Sequence, residues 1–129
     1  MKKILLPALI VFSLFSANCL TNVEDNTGEI PSEPISYASD IQPIFNARCT
    51  VCHGNNGGVN LSSYQALMNS TGNFYGTNLV VPGDAAASGL VDVLEPNPQN
   101  NNPMPQGSSL SGNDIEKIRA WINEGALNN

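Results

Sequence analysis

The sequence predicts an all-α domain of short helices joined by long loops. Apolar residues recur at helical spacing in several short stretches, while no alternating strand pattern recurs and no internal repeat is visible. Runs rich in glycine, proline and asparagine separate those stretches. The chain of 129 residues is one domain's worth. The folded part is expected over residues 37–129, with an apolar inventory that is modest for its size. A domain that small is marginal by itself, so a buried apolar group is expected to complete the core.

The first helix should start near Ser39 or Asp40, either of which is a good N-cap, with Gln42 and Pro43 in its first turn. Ile41, Ile44 and Phe45 then form one apolar face. Gly54-Asn55-Asn56-Gly57-Gly58 cannot be regular structure. Beyond it, Leu61 precedes a short helix capped by Ser62 or Ser63 and running through Tyr64, Leu67 and Met68. Residues 69–78 read as loop, and Leu79 to Gly83 as a brief extended piece ending in a turn. Ala85 to Leu94 is expected to be a third helix, with Leu90, Val91 and Leu94 inward. Glu95 to Ser109 carries four prolines and reads as a long surface loop. The last helix is the clearest. Ser111 and Asp114 approximate a capping box, Ile115, Ile118, Trp121 and Ile122 form the stripe, and Gly125 suits the position after the C-cap.

The ends of the chain speak to location. Residues 1–18 have a basic start, an apolar run from Ile4 to Phe15 and small residues after it, which is a secretory signal. The run is too short to span a bilayer. Cys19 follows directly. The stretch resembles a bacterial lipoprotein signal, in which that cysteine is acylated and becomes the first mature residue. Asn18 departs from the small residue usual there, and plain secretion is the alternative. Acylation would anchor the protein to a membrane without spanning it. Residues 19–36 are polar and acidic, with Gly28, Pro31 and Pro34, and read as a tether reaching about 50 Å when extended. Export places the protein in the periplasm or on the outer-membrane side.

Cys49-Thr50-Val51-Cys52-His53 reads C-x-x-C-H, the attachment signature of a c-type haem. The two thiols can add across the haem vinyl groups, and the adjacent imidazole can ligate the iron. A thioredoxin-like redox pair would sit in an alternating strand–helix pattern, which is missing. A zinc site needs four ligands, usually from two pairs, and this chain has no second cysteine pair and a single histidine. A chance pair or a disulfide is the remaining alternative. With Cys49 and Cys52 on haem c and Cys19 on lipid, no structural disulfide is left to propose.

Elimination narrows the second axial ligand. His53 is the only histidine, so bis-histidine ligation within the chain is impossible. Met68 lies beside Leu67 on an apolar helix face and reads as core filling. Met104 lies between Pro103 and Pro105 in an otherwise polar loop, and a loop presenting a thioether to the iron accounts for it. The competing readings are a methionine that anchors the loop in a hydrophobic slot and an open sixth position. His53/Met104 ligation raises the reduction potential and leaves no place for substrate. No enzymatic activity is therefore expected. Electron transfer is the primary expectation, and a haem-binding accessory or sensor module with an open sixth site is the alternative. Tyr64 and Trp121 could hydrogen-bond a haem propionate or serve as core aromatics, and for Trp121 the core is favoured.

Beyond Cys19 only Arg48, Lys117 and Arg119 are basic, against 11 acidic residues. That balance excludes nucleic acid and a basic patch for anionic lipid. It suits redox protein partners with a basic docking face, or serves solubility alone.

Residues 37–128 resemble small bacterial cytochrome c domains. The resemblance rests on Asp40-Ile41-Gln42-Pro43-Ile44-Phe45, Arg48 to Gly54 around the haem motif, Val81-Pro82-Gly83-Asp84 with Ser88-Gly89-Leu90, Met104-Pro105, and Leu110-Ser111 leading to Trp121 through Ala126. It implies a cytochrome c-like fold with loops wrapped around one haem and the first and last helices crossing beside it. It further implies thioethers at Cys49 and Cys52 and axial ligands His53 and Met104. Phe45 and Trp121 become candidates for the helix-crossing contact. The asparagine-rich loop before Met104 departs from the family and bears on how firmly that ligand is held.

Overall fold

A computed structural model gives the fold of residues 33–54 and 56–129. The signal over residues 1–18, Cys19 and most of the expected tether lie outside the described residues. Within them the protein is all-α. A π-helical turn (Tyr37–Ile41) runs into α1 (Gln42–Arg48), followed by α2 (Tyr64–Met68), α3 (Gly89–Asp92) and α4 (Gly112–Asn123). Single 3-10 turns cover Asn56–Gly58 and Thr77–Leu79. Among the described residues there is no strand, only one isolated antiparallel bridge between Gly72 and Gly76. No described helix is long and apolar enough to cross a membrane.

The start of the domain differs from expectation. Helical structure begins a turn early, and its cap is Ser36, whose Oγ accepts from the Ser39 N–H at 3.3 Å. Asp40 returns the favour by accepting the Ser36 N–H at 3.0 Å. The reason for the wider turn lies in Pro43. Proline has no N–H to give to the carbonyl four residues back, and its ring crowds that carbonyl. The preceding turn opens to π geometry, with the Gln42 N–H reaching the Tyr37 carbonyl. Ile35, at the end of the expected tether, is also folded. It is 1% exposed, and its N–H donates to Glu124 Oε2 at 2.8 Å.

Tyr37 is the hub of the core. Its ring centroid lies 5.3 Å from Trp121, 5.2 Å from Tyr64 and 6.4 Å from Phe45. The π turn thus brings Tyr37 into ring contact with both Phe45 of α1 and Trp121 of α4. Ile41, Phe45, Leu67, Ile118, Trp121 and Ile122 fill the space around it. Asn129 closes the ring of contacts, its Oδ1 accepting from the Tyr37 N–H and its carbonyl from the Ala38 N–H.

The last helix follows its sequence signals. Ser111 Oγ accepts the Asp114 N–H at 3.1 Å. At the other end Gly125 (φ +104°) turns the chain into a Schellman pair, with the Ala126 N–H on the Trp121 carbonyl and the Gly125 N–H on the Ile122 carbonyl. The helix expected over 85–94, by contrast, shortens to α3. Ser88 is buried, and its Oγ accepts from the Val81 N–H and donates to the Asp84 carbonyl, both at 2.8 Å. Asp84 Oδ1 also takes the Ala87 N–H. These side-chain bonds satisfy the backbone without a helix and hold residues 84–88 as a turn.

Burial first, and then the neighbouring Tyr64 phenol, push the Tyr37 phenol up to about 12 from an ordinary 10.0. The folded state thus favours the neutral phenol. This contribution to stability is complete below pH 10 and is lost as pH rises from 10 through about 12. Urea titrations across that window should show the fall. Tyr37→Phe should cost about 1 kcal/mol at neutral pH through its lost bond to Gln42 and should flatten part of the alkaline fall. An unchanged alkaline slope would assign that fall to other groups.

Candidate haem site

The site grows out of the end of α1. Phe45 in that helix is anchored in the core, and its carbonyl accepts both the Cys49 N–H (2.8 Å) and the Thr50 N–H (3.0 Å). The chain then coils once more around the Cys49 carbonyl, which takes the Cys52 N–H at 3.1 Å and the His53 N–H at 2.8 Å. One turn therefore carries all three residues of the motif. Cys49 is half-buried against the core, while Cys52 is exposed and both thiols are free. Val51, between them, is 94% exposed.

His53 has a defined tautomer. Its Nδ1 lies 3.1 Å from the Asn56 carbonyl, which can only accept. In the neutral ring Nδ1 therefore carries the hydrogen and Nε2 keeps its lone pair for a metal. Nothing in the sequence marks the Asn56 carbonyl as this acceptor. The glycines that follow make it available. Gly57 and Gly58 both have positive φ, and a Cβ at Gly58 would come within 2.3 Å of the Thr71 carbonyl oxygen. The Asn73 N–H donates to the Gly57 carbonyl at 3.0 Å, and the Leu61 N–H to the His53 carbonyl at 2.9 Å. The loop after the motif is thus folded back against its own flanks.

Met104 comes from a different part of the chain. It is half-buried, and its N–H donates to the Val93 carbonyl at 2.7 Å, just past α3. Met68 packs against the hydrophobic core as expected; Met104 is not among the residues that do. The reading in which Met104 anchors its loop in a core slot therefore has no support in the packing. The asparagines around it are engaged. The Asn102 N–H donates to Asn100 Oδ1, and Gln106 Nε2 to Asn102 Oδ1, each at 2.9 Å.

Tyr64 and Trp121 are committed elsewhere. Trp121 is fully buried, with Nε1 donating to the Leu127 carbonyl at 2.9 Å, and the Tyr64 hydroxyl donates to the Ala126 carbonyl at 3.0 Å. Both act as core aromatics that brace the C-terminal turn.

The donor chemistry suits a haem. Among the described residues no three His, Cys, Asp or Glu side chains come together to hold a bare metal ion. Zinc would lack its ligand set, whereas an iron already held by a porphyrin asks the protein only for axial ligands. Burial also pushes the Cys49 thiol up to about 11. A redox dithiol uses the opposite shift, a thiol lowered toward neutrality.

No family model matches the chain, and no curated protein matches it. Among solved structures it is similar to Kuenenia stuttgartiensis hydrazine synthase, with a TM-score of 0.53 and 24% sequence identity. The match covers 71% of this chain and 16% of that one. The chain thus spans a small fraction of the protein it resembles, and the likeness is one of fold.

Proposed function

We propose that the protein is a monohaem c-type cytochrome that carries electrons between exported or membrane-bound redox partners. The observation that carries this reading is the C-x-x-C-H turn, with His53 Nδ1 engaged by the Asn56 carbonyl and Nε2 left for iron. Cys49 and Cys52 would hold the porphyrin as thioethers. His53 and Met104 would take the two axial positions. When bound, the haem supplies a one-electron iron couple at a raised potential. The chain's own contribution would be to hold the imidazole in one tautomer and to bring a thioether on a braced loop. Such a set leaves no coordination position for substrate, and no catalytic activity is assigned. The fold likeness to part of a hydrazine synthase does not bring hydrazine chemistry to this chain.

Acylation at Cys19 would tether the domain outside the cytoplasm through residues up to about 32. The surplus of acidic residues suits partners with a basic docking face.

Three experiments test the reading. The oxidised protein should show a far-red sulfur–iron charge-transfer band, and the reduced protein should not respond to carbon monoxide. Met104→Ala should abolish the band, lower the potential and admit carbon monoxide. A wild-type protein that already binds carbon monoxide would favour the sensor reading. Protein carrying haem should resist thiol alkylation altogether. When made without haem it should label rapidly at exposed Cys52 and slowly at Cys49, whose thiolate is on the order of one part in 10³ at pH 8; fast labelling of Cys49 would restore the redox-dithiol reading. Cys19→Ala should release the protein from membranes, and continued sedimentation with them would exclude the lipid anchor.

A further inference from the structure

Two loops converge on one carboxylate at the end of α3. Asp92 Oδ2 accepts the Tyr75 hydroxyl at 2.5 Å and the Gln99 N–H at 2.9 Å. Tyr75 belongs to the loop after α2, and Gln99 to the loop that carries Met104. The Tyr75 ring packs closely against α3 at Gly89, where a Cβ would sit only 2.2 Å from ring carbon Cγ. Gly89 is therefore what lets the phenol reach Asp92. The two bonds, the Tyr75 one foremost, hold the Asp92 carboxyl below the usual carboxylate range, so it is ionised and accepts from both donors.

The next residue supplies a second pin. The Met104 N–H donates to the Val93 carbonyl at 2.7 Å. The stretch from Gln99 to Met104 is thus fastened at both ends to adjacent residues. Between the pins the Asn101 N–H donates to the Pro98 carbonyl at 2.9 Å, and Asn102 to Asn100 as described. A short segment closed at both ends has few conformations to lose when its methionine binds a metal. At the other end of α3's exit, Glu95 pairs with Arg119 of α4, which fixes where the loop departs.

We propose that Asp92, oriented by Tyr75, is a positioning residue that holds the Met104 loop in its ligating arrangement. This rests on Met104 being the second axial ligand. Asp92 and Tyr75 are assigned no place among the ligands, and their effect would pass through the loop. Asp92 sets how readily the thioether gives way to another ligand.

The test is imidazole titration of the oxidised haem protein, with imidazole competing for the Met104 position and the far-red band reporting its displacement. Asp92→Ala should bind imidazole more tightly by on the order of tenfold, the scale of a lost bond to a charged acceptor. Tyr75→Phe, which keeps the ring on Gly89 and removes only the hydroxyl, should shift it in the same direction by about threefold. In a Met104→Ala background, Asp92→Ala should change nothing further. Haem content and far-ultraviolet circular dichroism check that each variant is folded, and Tyr75→Phe carries the test if Asp92→Ala is not. A wild-type band with unchanged imidazole affinity in both variants overturns the proposal. So does an equal shift in the Met104→Ala background, which would mark a general loosening. A wild-type protein without the band, binding imidazole as tightly as Met104→Ala, removes the ligand assignment and this proposal with it.

Discussion

The Tyr37 ring sits between Trp121, Tyr64 and Phe45, and that cluster joins the two ends of the domain. Aromatic rings at such spacings bury large areas and fix relative orientation better than aliphatic side chains do. In a domain with so little core, the orientation of α1 against α4 hangs on this contact. The C-x-x-C-H turn follows α1 without a break, sharing the Phe45 carbonyl as its first acceptor. Whatever fixes Phe45 therefore aims Cys49 and, one coil later, His53. The site takes its position from this aromatic packing contact, supported by Cys49 against the core and by the Leu61 N–H on the His53 carbonyl.

The two segments proposed to face the haem are built by different physics. The cysteine–histidine segment is local, made of consecutive backbone hydrogen bonds to the Phe45 and Cys49 carbonyls, and finished by the Asn56 carbonyl on His53. It depends on two glycines with positive φ to turn the chain back. The methionine side is assembled at a distance. Its loop has almost no regular structure; Pro98 is buried, and polar bonds to α3 and among its own asparagines hold the rest. A loop held in that way is more easily displaced than a helix, since each bond exchanges with water at small net cost. Under the proposed ligation by Met104, the bonds at Asp92 and Val93 would keep the thioether in place.

Where helices fall short of their pattern, side chains explain it. Residues 85–88 have helical composition, but Ser88 and Asp84 satisfy the neighbouring backbone groups and leave α3 only its final turn. At the start of the domain Pro43 cannot serve a regular turn, and the chain answers with a π turn that also brings Tyr37 inward. Both departures come from hydrogen-bonding alternatives that periodicity does not register.

The sequence by itself determined the all-α class, a cap at Ser62 or Ser63, nearly the whole of α4 from Ser111 to Gly125, and the cysteine–histidine turn. These are local features, set by spacing and capping within a few residues, and their physics does not depend on what lies across the fold. The tertiary structure alone decided that Tyr37 stands in ring contact with both Phe45 and Trp121, that Ile35 belongs to the core, that the Asn56 carbonyl serves His53, and that Tyr64 turns its hydroxyl to Ala126. It also decided that Asp92 gathers Tyr75 and Gln99. Each of these joins residues far apart in the chain or selects one acceptor among many equivalent carbonyls. Only packing of the whole domain makes that selection, because a carbonyl or a tyrosine carries no mark in the sequence of the partner it will meet.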